Sequence, residues 1–93
     1  MPREANIEAE SVKALAAKGA IAMKLTCARG VPDRIVLDGA RYFFIEFKTP
    51  TGRASAAQRY WEDRLSANVY YAISVEQAIA ALEFERGIKY DHA

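Results

Sequence analysis

The chain has 93 residues, 52% of them hydrophobic, and thirteen Lys and Arg against twelve Asp and Glu leave a formal charge of +1. That length supports one small domain, taken as 1–93. The charge balance excludes a histone-like tail or a uniformly basic nucleic-acid coat while leaving room for a local basic surface. A single cysteine, Cys27, excludes an internal disulfide framework and points to a reducing compartment. No apolar run approaches the roughly 20 residues of a membrane span, and Met1-Pro2-Arg3-Glu4 lacks the apolar segment of a secretory signal, so the expectation is an intracellular protein. A domain this small buries a modest share of its unfolded surface, a marginality that dimerisation would relieve.

In chain order, residues 4–18 are rich in Ala, Glu and Lys and predict a helix closed by Gly19. Residues 20–26 predict a strand, and 27–32 a loop. Asp33–Asp38 and Arg41–Lys48 predict two further strands joined by a hairpin turn at Asp38-Gly39-Ala40-Arg41. Thr49-Pro50-Thr51-Gly52-Arg53 is loop chemistry. Ser55-Ala56-Ala57-Gln58 matches a capping box and opens a helix through about Ala67, with Asn68 suited to a left-handed C-cap. Residues 69–73 predict a fourth strand, and Ser74-Val75-Glu76-Gln77 caps a last helix that ends near Gly87. The order α-β-β-β-α-β-α is that of a small α/β sheet with helices on it. His92 falls in an end expected to be poorly ordered.

Three acids conflict with simple burial. Helical periodicity puts Glu8 on the face of Val12 and Leu15, where it needs a cation, a metal or a wet cleft beside it; a rim position or a salt bridge is the plainer reading. In the hairpin, a Gly39-Ala40 loop sets Asp33 opposite Glu46, whereas an Asp38-Gly39 loop moves Glu46 one step diagonally. Both registers leave the two acids on one face. Like charges so placed repel, and a divalent cation between them removes the penalty; oxygen ligands suit magnesium or manganese. Lys48, two residues beyond Glu46, shares that face, while Phe43, Ile45 and Phe47 face the opposite layer. For Glu46 and Lys48 taken alone, a solvated ion pair on an edge strand would suffice.

Gly30-Val31-Pro32-Asp33, the strand ending Glu46-Phe47-Lys48, then Thr49-Pro50-Thr51-Gly52-Arg53 and Gln58 resemble the virus-type replication-repair nuclease (VRR-NUC) domain of the PD-(D/E)XK nuclease superfamily. The likeness runs from Ile7-Glu8 through Val69–Ile73 and implies a small restriction-endonuclease-like core with a mixed sheet flanked by helices. It implies metal-dependent hydrolysis of DNA phosphodiesters to 5′-phosphate and 3′-hydroxyl ends. It makes Asp33 and Glu46 the principal metal ligands, with the Phe47 carbonyl as a further ligand and Glu8, the first-helix acid, joining them directly or through water; Lys48 is the catalytic lysine, and Gln58, on the following helix, fixes the attacking water or Lys48. Stand-alone members of the family are small, and some act as homodimers on four-way junctions, so branched DNA and a second copy are the implied partners. The loop Thr26-Cys27-Ala28-Arg29 is shorter and less basic than in many members.

Arg53, Arg29, Arg34 and Arg59 lie near these residues in sequence and are candidate phosphate contacts, each equally readable as solvated. Trp61 and Leu65 recur at i,i+4 and read as core; Tyr60, Tyr70 and Tyr71 could stack on bases but read more simply as packing. Residues 24–64 carry +3 and the remainder −2, so the near-neutral total conceals a basic middle, which a bound divalent cation would raise to about +5. The alternative function is a nucleic-acid-binding subunit that keeps the nuclease fold; a structural α/β interaction domain with an incidental acidic hairpin is the blandest.

Overall fold

A computed structural model describes residues 4–91. The elements follow the predicted order: α1 (Glu4–Ala17), β1 (Ile21–Lys24), β2 (Arg34–Asp38), β3 (Arg41–Phe47), α2 (Ala56–Arg64), β4 (Val69–Ala72) and α3 (Val75–Asp91). His92 lies outside the described residues. The strands form one mixed sheet in the order β1-β2-β3-β4, antiparallel except for β3 with β4. A parallel neighbour cannot be reached by a tight turn, and α2 supplies the crossover.

Gly39, with a positive φ of 66°, lets the chain reverse in two residues, so Asp38 pairs with Arg41 and Arg34 with Ile45. From that register the rows follow. Val36, Phe43, Ile45, Phe47 and Ala72 point to one face, where Leu15 of α1 and Ala78, Ala81 and Leu82 of α3 complete the core. Phe43, Ile45 and Phe47 are all within 1% of full burial. Each contributes roughly 1.5–3 kcal/mol by leaving water, so a one-residue slip of β3, which would exchange them for Phe44 and Glu46, is strongly disfavoured. Arg86 of α3 ties the two ends together, its guanidinium meeting Asp38 at 2.9 and 3.0 Å while also donating to the Lys18 carbonyl.

Four local expectations need correction. Asn68 is not a left-handed cap: no described residue other than glycine has positive φ, and α2 stops at Leu65 in an extended conformation. Asn68 is instead recruited into the sheet, its carbonyl accepting from Phe44 N and its side chain donating to Glu85 at 2.6 Å. Tyr70 also donates to Glu85; burial, then that carboxylate, push the Tyr70 phenol up to about 12. Gly87 does not end α3, which runs on through Asp91, because a glycine in a helix costs only about 1 kcal/mol when helix-competent residues follow. Trp61 and Leu65 are half-buried rather than core, since α2 buries none of its residues fully. The second capping box is also shifted: Gln77 N bonds Ser74 Oγ, but the Gln77 side chain accepts from Ile73 N.

With so little burial, α2 depends on a few specific contacts, two of them with the loop before β2. Gly30, at φ +86°, lies against Ala57 so closely that a Cβ there would meet Ala57 atoms at 2.6 Å, and Trp61 Nε1 donates to the Arg29 carbonyl at 3.0 Å. Gly30→Ala is therefore expected to detach α2 while the sheet stays folded: Trp61 fluorescence shifts red, with a change in melting temperature little larger than that of Gly19→Ala. Gly19 has the same left-handed strain but open space around it, so that control costs only about 1–2 kcal/mol.

Candidate functional site

Asp33 sits one residue before β2, in the position that the hairpin register sets opposite Glu46. The two carboxylates do not simply repel. Glu46 Oε1 accepts from the Asp33 backbone N–H at 3.1 Å, and Asp33 Oδ2 accepts from the Phe47 backbone N–H at 2.8 Å. Each acid is thus held by the other strand's peptide dipole, which supplies positive potential where the like charges need it.

Glu46 is only 7% exposed and reaches α2 through Gln58. Gln58 Nε2 donates to Glu46 Oε2 at 2.6 Å, while Gln58 Oε1 accepts from Lys48 Nζ at 2.7 Å and from Ser55 N at 2.8 Å. The amide orientation follows from its partners, because flipping it would set an NH2 against two donors and an oxygen against a carboxylate. The Ser55 bond is one arm of the capping box, completed by Gln58 N donating to Ser55 Oγ. One residue therefore starts the helix and joins Glu46 to Lys48. Lys48 Nζ also donates to the Arg53 carbonyl at 3.2 Å and lies 3.8 Å from Glu46 Oε2.

Glu8 is not brought to this group. It lies on the helix-bearing side of the sheet, 2.8 Å from Arg34 Nε and 3.2 Å from Lys24 Nζ, the salt bridge of the plainer reading. Arg34 shares the row of Ile45, opposite in facing to Asp33, and also donates to the Ala22 carbonyl. Of the other candidate arginines, Arg29 is exposed in the loop between β1 and β2, Arg53 is exposed in the loop before α2, and Arg59 is exposed with a bond to the Ala54 carbonyl. No three His, Cys, Asp or Glu side chains come together as a metal cluster among the described residues. Cys27 is exposed and unpaired by disulfide.

Tyr71 belongs to the site, although the sequence reading sets it aside as packing. It pairs with Glu46 in the β3–β4 register, its hydroxyl donates to Glu62 of α2, and Lys48 Nζ stands 5.9 Å from its ring centroid. Burial, the Glu62 bond and the Glu46 charge push its phenol well above the ordinary tyrosine range. The alternation of Val69, Tyr71 and Ile73 hints at a shared face, but which strand they meet depends on a parallel register that no local pattern encodes.

The residues assembled here are two opposed carboxylates, a lysine fixed by an amide, and cations on flanking loops. That set can hold a hard cation and an anionic substrate side by side. None of the described helices is long and apolar enough to cross a membrane. No protein-family model matches the chain, and no curated protein sequence matches it. Two solved chains do match in structure. One, described as a VRR_NUC domain, superposes with a TM-score of 0.74 at 24% identity, over 86% of this chain and 94% of its own length. The chain therefore shares the α/β fold of that VRR_NUC domain.

Proposed function

We propose that this chain is a magnesium- or manganese-dependent endonuclease that hydrolyses DNA phosphodiester bonds. The observation that carries the reading is the opposition of Asp33 and Glu46 beside a lysine tethered by Gln58. The donor chemistry fits the cation. Both acids offer hard oxygens, and Asp33 Oδ1 accepts no hydrogen bond among the described residues. Two carboxylates suffice for magnesium, which keeps water and takes substrate oxygens in its remaining positions. Asp33, Glu46 and the Phe47 carbonyl would hold it. When bound, such a cation acidifies water and stabilises charge on phosphoryl oxygens.

The other steps fall to the chain's own groups. Lys48, held by Gln58 Oε1 and the Arg53 carbonyl, orients the attacking water and neutralises charge that develops at the phosphate. Gln58 fixes the lysine and Glu46 at once, so neither reorganises when substrate arrives. Glu8 acts at one remove, holding Arg34 and with it the start of β2 next to Asp33. Arg53, Arg29 and Arg59 are the phosphate contacts on this reading, and Arg34 contributes only through Glu8.

A cleavage panel of four-way, flap, nicked and linear duplex DNA, with magnesium, manganese and a chelator, tests the reading. Lys48→Ala is expected to lower the rate by about 10²–10³-fold, Gln58→Ala by roughly 10–100-fold, and Asp33→Ala or chelation to abolish cutting. Full magnesium-dependent activity in Asp33→Ala would sink the assignment. DNA binding without cleavage in any metal would favour the binding-subunit reading. Branched DNA is the proposed substrate, and equal rates on all four structures remove that preference.

A homodimer is the proposed state, supported by an uncovered sheet face. The rows Ile21–Leu37–Tyr42 and Met23–Ile35–Phe44 lie on the side away from α1 and α3. Ile21, Met23 and Tyr42 are 61%, 50% and 44% exposed. Phe44 is itself buried in that face at 6% exposure, so the exposed apolar residues are Ile21, Met23 and Tyr42, and their exposure supports contact with a second copy. Met23→Lys is expected to convert a sedimenting dimer to monomer with the circular dichroism spectrum unchanged, and a monomeric wild-type chain would refute the dimer.

A further inference from the structure

Beside Lys48, the loop after β3 and the end of β4 enclose a groove of about 200 Å³. Pro50 and Gly52 line it from the loop, Tyr71 and Ile73 from the strand side. Tyr71 and Ile73 alternate onto the face of Glu46 and Lys48, and both remain exposed, at 40% and 37%. The groove is set before any ligand arrives. The Tyr71 ring is fixed at its hydroxyl by Glu62, and the loop is closed by Gly52 N donating to the Thr49 carbonyl at 3.0 Å. Gly52 sits so near Thr49 Oγ1 that a Cβ would come within 3.1 Å of it.

An apolar slot with one aromatic wall, an ammonium at its mouth and the exposed Arg53 on its loop matches a planar ring joined to an anion. We propose that the groove takes an unpaired nucleobase, stacked on Tyr71, from the DNA strand whose phosphate reaches Lys48. This inference rests on the nuclease reading and narrows it. Every base has a π-face, so such a slot is tolerant of sequence. A paired base has both its stacking faces and its pairing edge engaged, and it enters only after extrusion. The groove therefore favours cleavage next to an unpaired nucleotide, at a flap or an open branch, over cleavage within continuous duplex.

The test measures binding apart from cutting, by fluorescence anisotropy of a short labelled single strand with calcium replacing magnesium. An abasic nucleotide is walked along the strand, and wild type is compared with Tyr71→Leu and Tyr71→Phe. Wild type is expected to lose about tenfold in affinity when the abasic position reaches the groove. Tyr71→Leu is expected to bind the intact strand about tenfold more weakly and to be indifferent to the abasic position. Tyr71→Phe, which keeps the ring and loses only the Glu62 bond, should still sense the abasic position, and Tyr71→Leu should weaken binding to linear duplex less than binding to the single strand. The proposal fails if no abasic position matters, if Tyr71→Leu still senses one, or if duplex and single strand weaken alike; each of these leaves the nuclease reading standing. Absence of binding to any DNA overturns both.

Discussion

The two-residue reversal at Gly39-Ala40 is the constraint on which the rest of the site depends. It pairs Asp38 with Arg41, and everything along β2 and β3 follows by counting: Phe43, Ile45 and Phe47 go to the core, and Asp33 and Glu46 meet on the other face. The energy that enforces this lies in the apolar residues, not in the acids. Three fully buried side chains outweigh the cost of setting two carboxylates opposite each other, and the backbone lowers even that cost by turning the N–H groups of Asp33 and Phe47 toward the acids. A charged pair survives here because the core leaves it no other place.

Gln58 carries that arrangement from the sheet to α2. The helix buries none of its residues fully, so packing does not determine where it sits. Hydrogen bonds and one close approach do: Gln58 to Glu46, Trp61 to the Arg29 carbonyl, Glu62 to Tyr71, and Gly30 against Ala57. A helix held by polar contacts aimed at one end of the sheet fits a role in positioning rather than in stability. The same residues that locate it are those that hold Lys48 and Tyr71.

Much of this was legible in the residues because the signals are local. Hairpin parity needs only the turn, and the capping box at Ser55 and Gln58 needs only four residues. What stayed hidden depends on distant partners. Helical periodicity could place Glu8 on the apolar face but could not say that Arg34 and Lys24 would face it across the sheet. Asn68 reads as a helix cap until Glu85, from the last helix, draws its side chain away. Trp61 and Leu65 have core spacing, yet a helix cannot bury a stripe over a part of the sheet it does not cover. Tyr71 is opposite Glu46 through a parallel pairing, and that register is set only when the crossover has packed.

The charge pattern changes meaning once it is divided by sheet face instead of by sequence. Residues 24–64 carry +3, but Lys24, Arg34 and Arg41 all lie with the helices α1 and α3, where Glu8 and the Glu85 carbonyl engage them. Asp38 leaves with them, bound to Arg86. What remains of that stretch, on α2, its neighbouring loops and the site ends of the strands, is Arg29, Lys48, Arg53, Arg59 and Arg64 against Asp33, Glu46, Glu62 and Asp63, a net charge of only +1. A broad positive field is therefore not what would draw a phosphate here. On the proposed function the attraction is short-ranged: a divalent cation at Asp33 and Glu46 would raise this charge by two, and the direct hydrogen bonds of Lys48 go to neutral acceptors, the Gln58 and Arg53 oxygens. Glu46 Oε2, at 3.8 Å, pairs with the lysine's charge electrostatically without a direct hydrogen bond. If the proposed function holds, affinity for DNA would depend on the metal more steeply than on salt, because few cations beyond those at the centre are available to replace counterions along the backbone.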